Sequence, residues 1–151
     1  MIIFNEISTM FFNNKILLYP PLHFAIENEN TKIVDTLLPL IGNEIQPGFF
    51  TAFKALKSIV IPSCVKLIGN EAFRGCSLLE QITLHSSITF IGKKAFNGCI
   101  SLKQIKIPSS VTSIESGAFI GCSSLTNITI PSSITSIESG AFIGCSSLTN
   151  I

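Results

Sequence analysis

Residues 105–127 read IKIPSSVTSIESGAFIGCSSLTN, and residues 128–150 read ITIPSSITSIESGAFIGCSSLTN. The two segments differ only at Lys106/Thr129 and Val111/Ile134. Working outward, Phe73, Phe96, Phe119 and Phe142 recur at the interval set by these segments, as do Cys76, Cys99, Cys122 and Cys145, and Ile59, Ile82, Ile105, Ile128 and Ile151. A fixed period of this size predicts a solenoid, in which each unit buries its apolar face only against its neighbours. The period fills about two thirds of the 151 residues, so length is no guide to domain count here.

Within one unit, Leu125-x-x-Ile128-x-Ile130 alternates apolar and polar types over a β-branched run, which predicts a half-buried strand. Pro131 ends it and Ser132-Ser133 turns the chain. Ile134-x-x-Ile137 then returns two apolar residues inward as a second short extended segment. Gly140-Ala141-Phe142 and Cys145 tuck under the next coil before Leu148 starts again. One coil is therefore a strand plus a return path.

The composition agrees with a folded stack: 46% hydrophobic and 13% charged residues exclude disorder, and no apolar run reaches the length of a membrane span. Net charge is +1, with Lys66, Arg74, Lys93, Lys94, Lys103 and Lys106 spread beside Glu71, Glu80, Glu115 and Glu138, so no basic stripe marks a nucleic-acid footprint. Four of the five cysteines occupy one repeat position, so their number follows the repeat count and not a disulfide framework. At the N-terminus, Asn13, Asn14 and Lys15 interrupt the apolar residues before a signal core forms, which argues for a cytoplasmic location.

Upstream of the repeats the pattern changes. Pro21 suits a first helical turn, with Leu22, Phe24, Ala25 and Ile26 as an apolar face. After Asn28-Glu29-Asn30, Thr31 caps a second helix carrying Ile33, Val34, Leu37 and Leu38, which Pro39 would stop, so helix is expected up to about Leu40. Pro21-Leu22-His23-Phe24-Ala25 with Ile33-Val34 and Leu37-Leu38 resembles one degenerate ankyrin repeat, with Pro20 in place of Thr and Glu29 in place of the turn glycine. The resemblance implies a structural, backbone-bonding role for His23. One period upstream of Pro62, Ile68, Phe73 and Leu79 stand Pro39, Ile45, Phe50 and Leu56, so a worn first coil overlaps this helix and takes over at Gly42 and Gln46-Pro47-Gly48.

The block from Phe50 to Ile151 resembles the BspA-type leucine-rich repeat, whose unit of similar length carries Ile-x-Ile-Pro-x-x-Val-x-x-Ile and Ala-Phe-x-x-Cys. Cys64 for Ser, Leu84-His85 for Ile-Pro, and Asn70 and Lys93 for Ser are departures that remove no core residue. The resemblance implies proteins proposed to act in adhesion at microbial and protist surfaces, and so sets a cell-surface location and surface-antigen role against the cytoplasmic one.

Candidate chemistry is sparse. Equivalent residues of stacked coils lie roughly 4.8 Å apart, so the cysteines form an internal column beside the phenylalanines. A line of parallel thiols is not a zinc tetrahedron, and buried reduced thiols are expected, with occasional disulfides as the alternative. His85 takes a loop position. Asp35 is the only aspartate, and no carboxylate pair, phosphate loop or Ser-His-Asp order is present, so no catalytic, metal-binding or cofactor-binding residue is assigned. Asn127-Ile128-Thr129 matches a glycosylation sequon that repeat bias readily generates.

The remaining variable positions lie on the outer face of the strand sheet. Lys57, Glu80, Lys103 and Thr126 form one column, Gln81, Gln104 and Asn127 a second, and Val60, Thr83, Lys106 and Thr129 a third. These are the candidate partner-binding residues, on a rigid face that limits the entropy cost of binding. The expectation is an α+β repeat solenoid: residues 1–41 helical with the ankyrin-like unit, 42–58 a degenerate capping coil, and 59–151 four leucine-rich coils plus the start of a fifth. Its function is read as a non-catalytic protein-interaction module without nucleic-acid partner or transmembrane segment. The alternative is a structural protein, or a fragment of a longer one, that self-associates end to end through the C-terminal coil.

Overall fold

The computed structural model describes residues 38–149. The chain divides into two units, Met1–Ile41 and Gly42–Ile151. The predicted helical segment and ankyrin-like unit, with His23, lie outside the described residues apart from Leu38–Ile41, a four-residue 3-10 turn. Pro39 lies inside this turn, at an early position where a missing N–H leaves no bond unmade, and the helix it was expected to stop lies outside the described residues.

From Gly42 onward the described chain is a parallel β-solenoid, which replaces the α+β description there. Each coil has a three-residue strand and a two-residue strand. The longer strands are β2 (Ser58–Val60), β4 (Gln81–Thr83), β6 (Gln104–Lys106) and β8 (Asn127–Thr129), paired in parallel in that order. The shorter ones are β1 (Glu44–Ile45), β3 (Leu67–Ile68), β5 (Phe90–Ile91), β7 (Ser113–Ile114) and β9 (Ser136–Ile137), forming the ladders β1-β3-β5 and β7-β9. Register follows the period throughout, for example Ile59 opposite Ile82 and Ile105 opposite Ile128.

A third side completes each coil, and the sequence pattern does not announce it. Here successive backbone N–H groups donate to the following coil: Phe50 to Ala72 at 2.7 Å, Phe73 to Ala95 at 2.8 Å, Phe96 to Ala118 at 2.8 Å and Phe119 to Ala141 at 2.8 Å. Gly75 to Asn97 and Gly98 to Ile120, both 2.7 Å, continue the same ladder. Turns on this side take a left-handed residue in every coil, which is incompatible with a helix and keeps the return path extended enough to bond its neighbour.

The core is a set of columns. Phe50, Phe73, Phe96 and Phe119 are fully buried and near-parallel, with ring centroids 4.5, 5.3 and 5.4 Å apart, and Phe142 continues the stack at 5.5 Å. Their spacing is the strand spacing, so the rings inherit the backbone register. Leu56, Leu79, Leu102 and Leu125, and Ile59, Ile82, Ile105 and Ile128, make parallel columns, and no polar or charged residue is buried among the described residues. In the first coil Phe53 stands one period before Cys76 and fills the start of the cysteine column with a second buried ring, stacked obliquely 5.1 Å from Phe50.

The thiols are held by backbone. Cys76, Cys99, Cys122 and Cys145 each donate Sγ–H to the carbonyl of Phe50, Phe73, Phe96 and Phe119 respectively, at 3.1–3.2 Å. Burial first, and neighbouring thiols second where they contribute, push Cys76 and Cys122 up to about 12 from the ordinary 9.0, and raise Cys99 and Cys145 as well. Such thiols stay protonated at neutral pH and are poor nucleophiles and poor metal ligands. No described cysteine is disulfide-bonded.

Candidate protein-binding faces

The longer strands bury their middle residue and expose the other two in every coil. Val60, Gln81, Thr83, Gln104, Lys106, Asn127 and Thr129 are therefore outward on the sheet itself. Lys57, Glu80, Lys103 and Thr126 each stand one residue before a strand, at its entry corner. Alternation across the pleat accounts for the seven strand residues, and the four entry-corner residues flank them. Val60 is 64% exposed, an apolar side chain standing among polar ones.

The first column is an ionic ladder. Lys103 Nζ lies 2.6 Å from Glu80 Oε2, one coil apart. Hydrogen bonding from Lys103 and then its charge hold the Glu80 carboxyl below its ordinary 4.5 against desolvation, with the Lys57 charge contributing least. A depressed carboxyl stabilises the fold above its unfolded pKa and loses that contribution as pH falls through the lowered one; on a solvated surface the amount is small. Lys57, Lys103 and Lys106 against Glu80 leave the face net positive, and Thr126 Oγ donates to the Lys103 carbonyl at 3.1 Å. His85 is an exposed loop residue whose Nδ1 accepts the Ser87 N–H at 3.2 Å. No cluster of three or more metal-ligating side chains occurs among the described residues, and no described helix is long and apolar enough to cross a membrane.

A second feature, on the corner leading to the phenylalanines, escaped the sequence reading. One register position is left-handed in five coils: Gly48 (φ 67°), Glu71 (57°), Lys94 (54°), Gly117 (65°) and Gly140 (71°). A side chain at such a φ costs about 1 kcal/mol or somewhat more, yet the second and third coils place charged residues there. In those two coils the glycine has moved two residues back, to Gly69 and Gly92, where the other coils carry Gln46, Glu115 and Glu138. The sequence signal was this exchange of Glu-x-Gly for Gly-x-Glu and Gly-x-Lys. A shallow open groove lies at this corner, lined by Pro47, Gly48, Asn70, Glu71, Lys93 and Lys94.

No curated protein gives a significant match to the chain. Among solved structures, a leucine rich cell surface protein of Faecalibacterium prausnitzii is 42% identical, with a TM-score of 0.70 over 72% of this chain and 29% of its own. The T. pallidum leucine rich repeat protein is 36% identical, with a TM-score of 0.68 over 70% and 50%. A leucine-rich repeat protein of Bacteroides ovatus is 34% identical, with a TM-score of 0.57 over 63% and 30%. The matched region thus spans half or less of each of these proteins. A model of the BspA type leucine rich repeat region matches residues 43–151 in six copies, and with the parallel coil register described above this establishes that the chain belongs to that repeat family.

Proposed function

We propose that the solenoid is a non-catalytic protein-binding module that engages its partner through the outward strand face. The observation that carries this reading is the separation of face from core. Inward positions hold the same residue types coil after coil, while the outward ones run from lysine and glutamate in the early coils to threonine and asparagine in the last. Such a face can change its partner without altering the stack, and it is already ordered before binding. Its positive balance favours an acidic partner surface. The similarity to a cell surface protein of F. prausnitzii supports extending the proposal to a surface, adhesion-related role.

Charge reversal tests the face. Lys103→Glu with Lys106→Glu should weaken capture of an acidic protein partner roughly tenfold, because like charges would then meet across the interface. The thermal midpoint should hardly move, since both side chains are solvent-exposed. Unchanged capture by the double variant would remove this face from the account.

A second reading is end-on stacking of the solenoid with another copy. Sedimentation across a concentration series decides it: growth of dimers or longer assemblies supports stacking, and a concentration-independent monomer rules it out.

A further inference from the structure

We propose that the corner groove of the second and third coils is a second interaction surface, which binds an acidic peptide segment of a partner protein through Lys93 and Lys94. The site lies on a different side of the coil from the strand face and does not depend on that reading.

Four observations converge on it. Lys94 occupies a left-handed position that glycine fills in the first, fourth and fifth coils, so its side chain is kept there against a backbone cost. Its stem runs over the next coil, where a Cβ placed on Gly117 would meet Lys94 Cγ at 3.2 Å. Both lysines are exposed and both line the groove. Neither ammonium group makes a hydrogen bond or ion pair with a described residue, whereas neighbouring cations are engaged: Lys54 Nζ donates to the Gly75 carbonyl at 3.1 Å, and Arg74 pairs with Glu71 at 2.9 Å. Because Arg74 neutralises the one acid lining the groove, the two lysines present an uncompensated positive charge.

The backbone identifies the kind of anion. A phosphate cradle needs unoccupied N–H groups, and here they are used: Gly48 N–H bonds Asn70 O, Glu71 N–H bonds Lys93 O, Lys94 N–H bonds Ser116 O, and Lys93 N–H bonds Asn70 Oδ1. What remains is a pair of compact point charges on flexible stems beside an open groove also lined by Pro47 and Gly48. Carboxylates spaced along an extended chain fit that arrangement; a single bound phosphate gains no directional donors from it.

The test uses a fluorescein-labelled octaglutamate peptide and anisotropy at low and moderate salt. Wild-type chain should bind it with an affinity that falls as salt rises, and Lys93→Ala with Lys94→Gly should weaken binding roughly fivefold or more. Lys94→Gly alone should raise the thermal midpoint while weakening binding, a combination that a purely structural lysine would not give. Lys66→Ala, at an exposed lysine outside both the groove and the strand face, should bind the peptide as wild type does. Absence of wild-type binding, a loss in Lys66→Ala equal to that in the Lys93/Lys94 double variant, or stronger binding to inorganic phosphate or phosphatidylserine vesicles than to the peptide would each overturn the proposal.

Discussion

Phe96→Ala is expected to destabilise the solenoid by about 3–5 kcal/mol. Phe96 is fully buried and stacked on two rings at once, Phe73 at 5.3 Å and Phe119 at 5.4 Å, with interplanar angles of 10° and 9°. Removing it opens a cavity that backbone collapse cannot fill, because ladders on three sides fix the coil spacing. In a one-dimensional stack, stability is a sum of coil terms and nearest-neighbour interfaces, so a middle coil loses contact on both faces. A loss of this size is a large fraction of the ~5–15 kcal/mol typical of a folded domain. Denaturant unfolding followed by circular dichroism measures it. Phe90→Ala is the control: Phe90 lies on the neighbouring strand β5 but is 38% exposed, and its removal should cost under ~1 kcal/mol. Similar losses for the two variants would mean that the ring column does not hold the coils together.

Gly92→Ala should cost about 2–3 kcal/mol for a different reason. A Cβ at Gly92 would lie 2.6 Å from Asn70 Oδ1, 2.7 Å from Asn70 N and 2.8 Å from Gly69 C, so backbone and the cap on Lys93 would both have to shift. Gly69 is equally tight, 2.6 Å from Ile45 O and 2.7 Å from Pro47 N. Yet Glu115 occupies the same register position one coil later, followed two residues on by Gly117. The turn therefore accepts a side chain at the first position when the left-handed third position is glycine. Gly92→Ala combined with Lys94→Gly should accordingly recover much of the loss, a coupling between neighbouring sites that thermal unfolding reads directly. Additive losses would show that the glycine exchange is incidental.

The inward face of the solenoid was legible because strict register repeats it. Each buried Ile, Leu, Phe and Cys column is a column of like letters one period apart. Alternation likewise exposed the strand-face residues, and the Glu80–Lys103 pair follows from equal positions in adjacent coils. The third ladder was not legible, since its bonds run between backbone groups of Phe, Ala and Gly positions that carry no polar signature. Phe53 was hidden because a bulky ring replaces cysteine in its column. The strained turn was hidden because a glycine two residues away reads as a minor departure until φ shows which position is left-handed.

Recognition is proposed to belong to the outward strand face and to leave the core untouched. Nitrogen-15 NMR of the labelled chain, titrated with an acidic protein partner that it captures, tests this most directly. Shift changes are expected to concentrate at residues 57–60, 80–83, 103–106 and 126–129, with the amides of Phe73, Phe96 and Phe119 unmoved. Changes spread through the phenylalanine and cysteine columns, or confined to residues away from these strands, would contradict it.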